Sequence, residues 1–402
     1  MSTGSRILIV APVPTHPSAT GASARVRAMA EALSSLHHDV HFLHLQQSLR
    51  SEEPAMRGFW GERLHEFRSL SPMSFVRRAR RKLVRVVGKT LHLNLPVDSY
   101  FDPEAAAHLG RMFEATRYDV VIVSYVFYSR LLEAVPENIR KLIDTHDVFS
   151  DRFRLYRAHG QANEFFSTSR AEEAKALDRS NVVLAIQQRD AEHFQSLTTR
   201  PVAVVGHLAP VTAADSRRAV DAAPAMLFVG GPMGINVHGI AWFIREVLPG
   251  VRRRVPEAEL WLVGGIGDRI GEEPGVRRLG FVDALDEVYQ SAAVVINPQQ
   301  FGTGLSIKSV EAMRHGRPLV STVSGGRGLE DGAGLAFLQA ASAEEFGEHL
   351  VALLRDHVAA AVLADRALEF ARAYHARNLA VLADLVQTVR PADARLPGAA
   401  NP

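Results

Sequence analysis

Short apolar runs alternate along this chain with longer stretches in which apolar residues recur every three or four positions, the patterns of a buried strand and of an amphipathic helix. Residues 6–11 read as a buried strand, and Val26, Met29, Ala30, Leu33 and Leu36 then share one helical face. Further strands are expected at 39–45, 118–124, 141–145, 182–186 and 202–205, with helical segments such as 164–177 between them. This alternation predicts a parallel, doubly wound sheet. Between 207 and 224 the chain turns to Ala, Pro, Asp and Ser without periodicity, which fits a linker, and the alternation restarts at 226–229. In the second series Ile240, Phe243, Ile244, Val247 and Leu248 share a helical face, and strands are expected at 259–263, 277–279, 293–296 and 319–322. Residues 343–388 read as helical and 391–402 as a loose tail. The expected organisation is an α/β chain of two Rossmann-like domains facing a central cleft. Residues 1–207 form the first domain, 208–224 the linker, 225–370 the second domain, and 371–390 a helix crossing back to brace the first.

Composition narrows the classes. At 402 residues, 47% hydrophobic and 22% charged, the chain is long enough for two cores and too apolar for disorder. A formal net charge of +2 argues against general nucleic-acid binding. With no cysteine, disulfides and cysteine metal sites are excluded. The opening MSTGSRILIVAPVPTH has an apolar run too short for a signal peptide or spanning segment, and nothing later reaches bilayer length, so a cytoplasmic location is expected.

The densest chemistry lies at 301–318, FGTGLSIKSVEAMRHGRP, a glycine loop opening directly into a helix. A helix start built from small residues exposes unpaired N–H groups and partial positive charge, so an anion such as diphosphate can approach the main chain. Lys308 and Glu311, three apart, offer one ligand a cation and a two-oxygen acceptor able to chelate ribose hydroxyls. The plainer alternative is an exposed intrahelical ion pair of a few tenths of a kcal/mol above glycines that only shape a turn. In facing α/β domains, ligands lie at the carboxyl ends of the strands. Three such ends carry motifs here: the loop 11–24, His146 with Asp147 after 141–145, and Gly302 to Ser306 after 293–296.

The arrangement resembles a retaining glycosyltransferase of family four with the GT-B fold, over nearly the whole chain. In the second domain FVGGPMGINVHGIAWFIREVLPGVRRRVPEAELWLVGG, LGFVDALDEVYQSAAVVINP and GTGLSIKSVEAMRHGRPLVST resemble that family's donor domain in order and spacing. In the more divergent first domain, Gly21, Arg25 and Asp144-Thr145-His146-Asp147 resemble its glycine loop and His-Asp motif. The resemblance implies that Glu311 holds the nucleotide ribose, that N–H groups near Gly304, Leu305 and Ser306 receive the diphosphate, and that Phe281 flanks the base. It implies that His146 lies beside the transferred sugar and acceptor, with Asp147 orienting it or the loop, and that Gly21 lets the backbone approach the sugar phosphate. Gly230, Asn236 and Thr303 are counted with the donor site, the last two with the alternatives of helix capping and loop formation. His146 has the alternative of a structural loop histidine.

Two departures stand out. The family's first glutamate would fall at position 303, where this chain has Thr303, and no Lys or Arg occurs between Arg218 and Arg245. Helix N–H groups must then meet the diphosphate charge together with a cation from elsewhere, for which Lys308 and Arg25 are the candidates, Arg25 having the alternative of simple solvation. These departures resemble a branch with GTG and a Lys before the Glu. The reaction implied is sugar transfer from a nucleotide diphosphate to an acceptor hydroxyl with retention, no metal and no other cofactor. Its partners are a nucleotide-sugar donor and a glycan, lipid-linked or other hydroxyl acceptor, in a bacterial surface polysaccharide or glycoconjugate pathway. A nucleotide-sugar epimerase of the same fold and a non-catalytic nucleotide-sugar-binding subunit are the other classes. Gly264 to Gly267 reads as a turn, since no following helix completes a dinucleotide loop. The stretch 75–91 sets Phe75, Ala79, Leu83, Val86 and Val87 on one face, with Arg77, Arg78, Arg80, Arg81, Lys82, Arg85 and Lys89 elsewhere. Either it seats the protein peripherally on an anionic membrane or it packs on its own domain with a solvated rim.

Overall fold

The computed structural model describes residues 4–18, 20–46, 53–68, 79, 86, 93–163, 165–211, 223–282 and 285–387. The basic stretch 75–91, apart from Ala79 and Val86, most of the linker and the tail 391–402 lie outside them. Seven strands form the first sheet: β1 Arg6–Ala11, β2 Asp39–Leu45, β3 Leu64–Phe67, β4 Val120–Ser124, β5 Arg140–Asp144, β6 Val182–Ala185 and β7 Val202–Val204. Six form the second: β8 Ala223–Val229, β9 Glu259–Val263, β10 Val276–Gly280, β11 Ala292–Asn297, β12 Leu319–Thr322 and β13 Leu338–Ala340. All pairings are parallel, in the orders β3-β2-β1-β4-β5-β6-β7 and β10-β9-β8-β11-β12-β13. Strand order reverses beside β1 and beside β8, so each sheet has a switch point where the loops diverge and leave a crevice.

Helices cover both faces of each sheet, which is why the central strands are apolar at every position rather than at alternate ones. Leu8, Val10, Val121 and Val123 enter one core of the first domain, while Ile7, Ile9, Val120 and Ile122 enter the other. In the second sheet Met226 and Phe228 face one core, Ala225 and Leu227 the opposite one. β3 and β13, not expected from the sequence, are edge strands of four and three residues.

The expected helical stretch at the end of the chain divides. Asp356 ends the helix Ala343–Arg355 and caps the next, its carboxylate accepting from the N–H groups of Val358 and Ala359. The final helix, His357–Val386, packs Ala367, Ala371 and Tyr374 into the second domain's core and Leu382 and Val386 into the first domain's. Asn378 adds a polar tie, its Oδ1 accepting from Gly206 N at 2.6 Å. One continuous helix therefore bridges both domains. No helix among the described residues is long and apolar enough to cross a membrane.

Candidate active site

The second-domain wall of the cleft is organised by Asn297, the buried last residue of β11. The two hydrogens of its amide Nδ2 are shared among Ser306 Oγ at 2.7 Å, Ser309 Oγ at 2.8 Å and the Gly325 carbonyl at 2.9 Å, joining three segments that the sequence separates. Gly302 and Gly304 take φ of 142° and 72°, which side chains disfavour. The loop so shaped enters the helix Ile307–Arg314 with no acceptor for the N–H groups of residues 304 to 308 among the described residues. These are the orphan donors of a helix start, at its positive end. Across the cleft, Gly21 opens the helix Gly21–Ser35, whose cap Thr20 accepts from Ser23 N at 3.1 Å. A Cβ on Gly21 would stand 3.5 Å from Ile307 Cδ1, so two helix N-termini meet.

Lys308 and Glu311 do not pair with each other, which removes the intrahelical-pair alternative. Lys308 Nζ donates to Asn236 Oδ1 at 3.0 Å and lies 5.0 Å from the Phe228 ring centre. Burial pulls its pKa down to about 8. Asn236 in turn donates to the Gly231 carbonyl at 3.0 Å, so it fastens the loop after β8 rather than capping its helix, where Met233 holds the cap position. Gly230 is required there: a Cβ would come within 2.7 Å of the Phe228 ring. Glu311 Oε1 accepts from His207 Nε2 at 2.7 Å, and Oε2 accepts from Arg314 Nε at 2.7 Å. Burial alone would raise the Glu311 pKa, but His207 and Arg314 hold it down to about 2. Phe281, at the end of β10, is 76% exposed, its ring bordering Gly265. Where the sequence reads as a plain turn, Gly265–Arg269 forms a short 3-10 helix.

The first-domain wall corrects the expectation for Arg25, which is neither solvated nor directed at a leaving group. Its side chain is buried, with Nε 3.0 Å from both Asp144 oxygens and Nη2 2.6 Å from Oδ1. The remaining donors go to the carbonyls of Val205 and Gly206, each at 3.0 Å. Burial would raise the Asp144 pKa, yet Arg25 and then His146 hold it well below the ordinary carboxylate range. His146 takes φ of 62°, and its buried ring stacks on Tyr125 at 4.1 Å. Its Nε2 stands 3.1 Å from Asp144 Oδ2. Among the described residues, the non-glycine positions with positive φ are His37, Tyr125, His146 and Asp151, and the last three flank this wall. Such strain costs about 1–3 kcal/mol per residue and concentrates at functional sites.

Asp147 fixes the loop rather than the histidine ring. Its Oδ1 accepts from Val148 N at 3.0 Å, and Oδ2 pairs closely with Arg152. Arg152 Nη1 also donates to Thr303 Oγ1 at 3.1 Å, bridging the domains. Gln187 Nε2 donates to the Gly304 carbonyl at 2.9 Å and to Asp190 Oδ1 at 2.9 Å. The structure thus brings Gly304, Thr303, His146 and Asp147 together, with Gly21, Lys308 and Glu311 along the same helix start, and sets Phe281 apart at the rim. Arg152, Gln187, Asp190, His207, Asn297 and Arg327 join them unexpectedly. The signals available for these were weak: His207 follows a strand end, Arg152 lies five positions after Asp147, and Arg327 stands inside Gly-Gly-Arg-Gly.

Residues 223–356 match the family model described as Glycosyl transferases group 1. Sucrose-phosphate synthase from Thermosynechococcus elongatus superposes with a TM-score of 0.66 at 15% identity, over 94% of this chain and 98% of that one. HepE from Anabaena, solved with UDP and glucose, gives 0.62 at 13% identity over 96% and 100%. The pneumococcal O-GlcNAc transferase GtfA, solved with UDP and GlcNAc, gives 0.62 at 9% identity over 96% and 100%. In sequence, 140 residues are 27% identical to an uncharacterized 44.6 kDa protein in the cps region of Klebsiella pneumoniae. That match spans 31% of this chain and 36% of the relative. The chain has the GT-B fold of two facing parallel-sheet domains, and its second domain carries the match to group 1 glycosyl transferases.

Proposed function

We propose that this protein is a retaining, metal-independent glycosyltransferase that moves a sugar from a nucleotide diphosphate to the hydroxyl of a glycan, lipid-linked or other acceptor. The observation that carries the reading is the set of N–H groups at residues 304 to 308 that have no acceptor among the described residues, at a helix N-terminus that meets a second one at Gly21. Donors fixed in advance toward developing negative charge are the strongest catalytic device available to such a cleft. Each Glu311 oxygen accepts one protein bond and retains a lone pair, so the carboxylate can still take the ribose hydroxyls. Phe281, exposed at the rim, offers a face for the base. His146, with Nε2 3.1 Å from Asp144 Oδ2, lies beside the sugar and acceptor.

In this reading the bond from the anomeric carbon to the phosphate oxygen breaks while the acceptor oxygen attacks from the same face. The acceptor's proton passes to the leaving phosphate, and retention follows without a covalent enzyme intermediate. The ligands named with HepE and GtfA, UDP with glucose or GlcNAc, support a nucleotide-sugar donor. The relative in a cps region supports surface polysaccharide or glycoconjugate synthesis. A peripheral seat on the cytoplasmic membrane face through 75–91 rests on the sequence alone. A thermal-shift series with UDP, GDP and dTDP tests the reading: one diphosphate at a hundred times its Kd should add about 2.7 kcal/mol of apparent stability. No shift with any of the three contradicts it.

A further inference from the structure

Main-chain N–H groups carry only partial charge, so a bound diphosphate calls for full cations nearby. The cations around the cleft differ in availability. Arg25 is engaged by Asp144, Val205 and Gly206, and Arg152 by Asp147, Tyr156 and Thr303. Lys308 remains, weakened by burial and held by Asn236. Arg327 stands apart: it is half-buried and makes no hydrogen bond or ion pair among the described residues. Burial lowers its pKa, with Asp190 and Asp147 of the opposite domain only partly opposing that.

Its backbone is placed with little freedom. A Cβ on Gly325 would lie 2.6 Å from the Asn297 carbonyl, and one on Gly326 would lie 2.8 Å from Gln339 Nε2 and 2.9 Å from Phe337. Gly328, at φ of 80°, packs within 3.0 Å of Leu305 and 2.9 Å of Gln187 by the same measure. Gly325 N donates to Thr322 Oγ1 at 3.0 Å. The loop carrying Arg327 is therefore laid directly on Asn297 and Leu305, the residues that shape and form the loop with the free N–H groups.

We propose that Arg327 binds the diphosphate of the donor and holds its negative charge as the sugar departs. This rests on the glycosyltransferase reading and adds a residue that the family motifs do not mark. In the transfer step the anomeric C–O bond to phosphate breaks, the bond to the acceptor oxygen forms, and the acceptor's proton goes to a phosphate oxygen. Arg327 and the N–H groups then balance the charge left on the nucleoside diphosphate.

Calorimetry on the full chain with UDP, GDP and dTDP, and with uridine, guanosine and thymidine, tests it. For the diphosphate that the unaltered protein prefers, Arg327→Gln should lower affinity at least about tenfold while nucleoside affinity stays within about twofold. Arg327→Met, which keeps the packed stem, carries the same expectation, and Arg327→Lys should recover most of the loss. Unchanged diphosphate affinity in both neutral variants overturns the role of Arg327 and leaves the glycosyltransferase reading standing. An unaltered protein that binds none of the three diphosphates overturns both.

Discussion

The two walls of the cleft follow opposite electrical plans. On the first-domain side most buried ions have mates: Arg25 lies on Asp144, Arg152 on Asp147, and Glu173 accepts from the N–H groups of Phe149 and Ser150 beside His193, while the buried carboxyl of Asp190 keeps one oxygen without a partner among the described residues. On the second-domain side, among the described residues, the N–H groups of 304 to 308 have no acceptor and Arg327 has no mate, while Lys308 faces an amide and a ring. Saturated polar groups hold a shape, whereas unsaturated ones in a cleft are poised for a ligand. Glu311 stands between the two, both oxygens engaged yet with acceptor capacity left. The ion pairs thus hold the shape of the first wall, which also carries His146, and the second wall is left for anion binding.

Breaking the first wall should have the largest effect. Arg25→Ala leaves Asp144 ionised and buried without its partner, which costs about 3–5 kcal/mol in urea unfolding, while nucleotide affinity of the folded protein is unchanged. A cost below about 1 kcal/mol would mean that the pair is not what shapes this wall. His146→Ala separates chemistry from binding: transfer should fall about a hundredfold with nucleotide affinity intact, and normal turnover removes His146 from the reaction. Glu311→Ala sharpens the second wall, weakening nucleotide binding by about 1.5–3 kcal/mol in calorimetry. Equal affinities would end the ribose assignment.

The smallest effect concerns pH. Burial, then the nearby Asp147, pushes the Asp190 pKa from 3.8 up to about 7. The native state thus keeps a proton that the unfolded chain releases, so this contribution to stability is full below about pH 4 and is lost as pH rises to about 7. Asp190→Asn should flatten the melting temperature across that window. Glu311 acts with the opposite sign, its contribution present above pH 4.5 and lost as pH falls toward 2.

The sequence exposes the fold where burial is strongest. Runs such as Ile7 to Val10 and Val120 to Val123 are apolar at every position because helices cover both faces, and length then separates strand from helix. The edge strands Leu64–Phe67 and Leu338–Ala340 escape that signal, being short and mixed in polarity. Likewise, the glycine loop and Glu311 are legible from local spacing, whereas ion partners are not. Arg25 meets Asp144 across 119 positions, and Glu311 meets His207 across 104. An arginine near a helix start looks available until the fold shows which carboxylate claims it. Arg152 and Arg327 lie outside the apolar patterns the sequence shows, and only their neighbours reveal that one is engaged while the other has no partner among the described residues.

The central claim is that main-chain N–H groups of residues 304 to 306 hold the donor's diphosphate. A crystal structure with the nucleoside diphosphate selected by the thermal-shift series measures this directly. The account predicts diphosphate oxygens about 2.7–3.2 Å from the main-chain nitrogens of Gly304, Leu305 or Ser306. A diphosphate bound elsewhere, with those nitrogens unliganded, would contradict it.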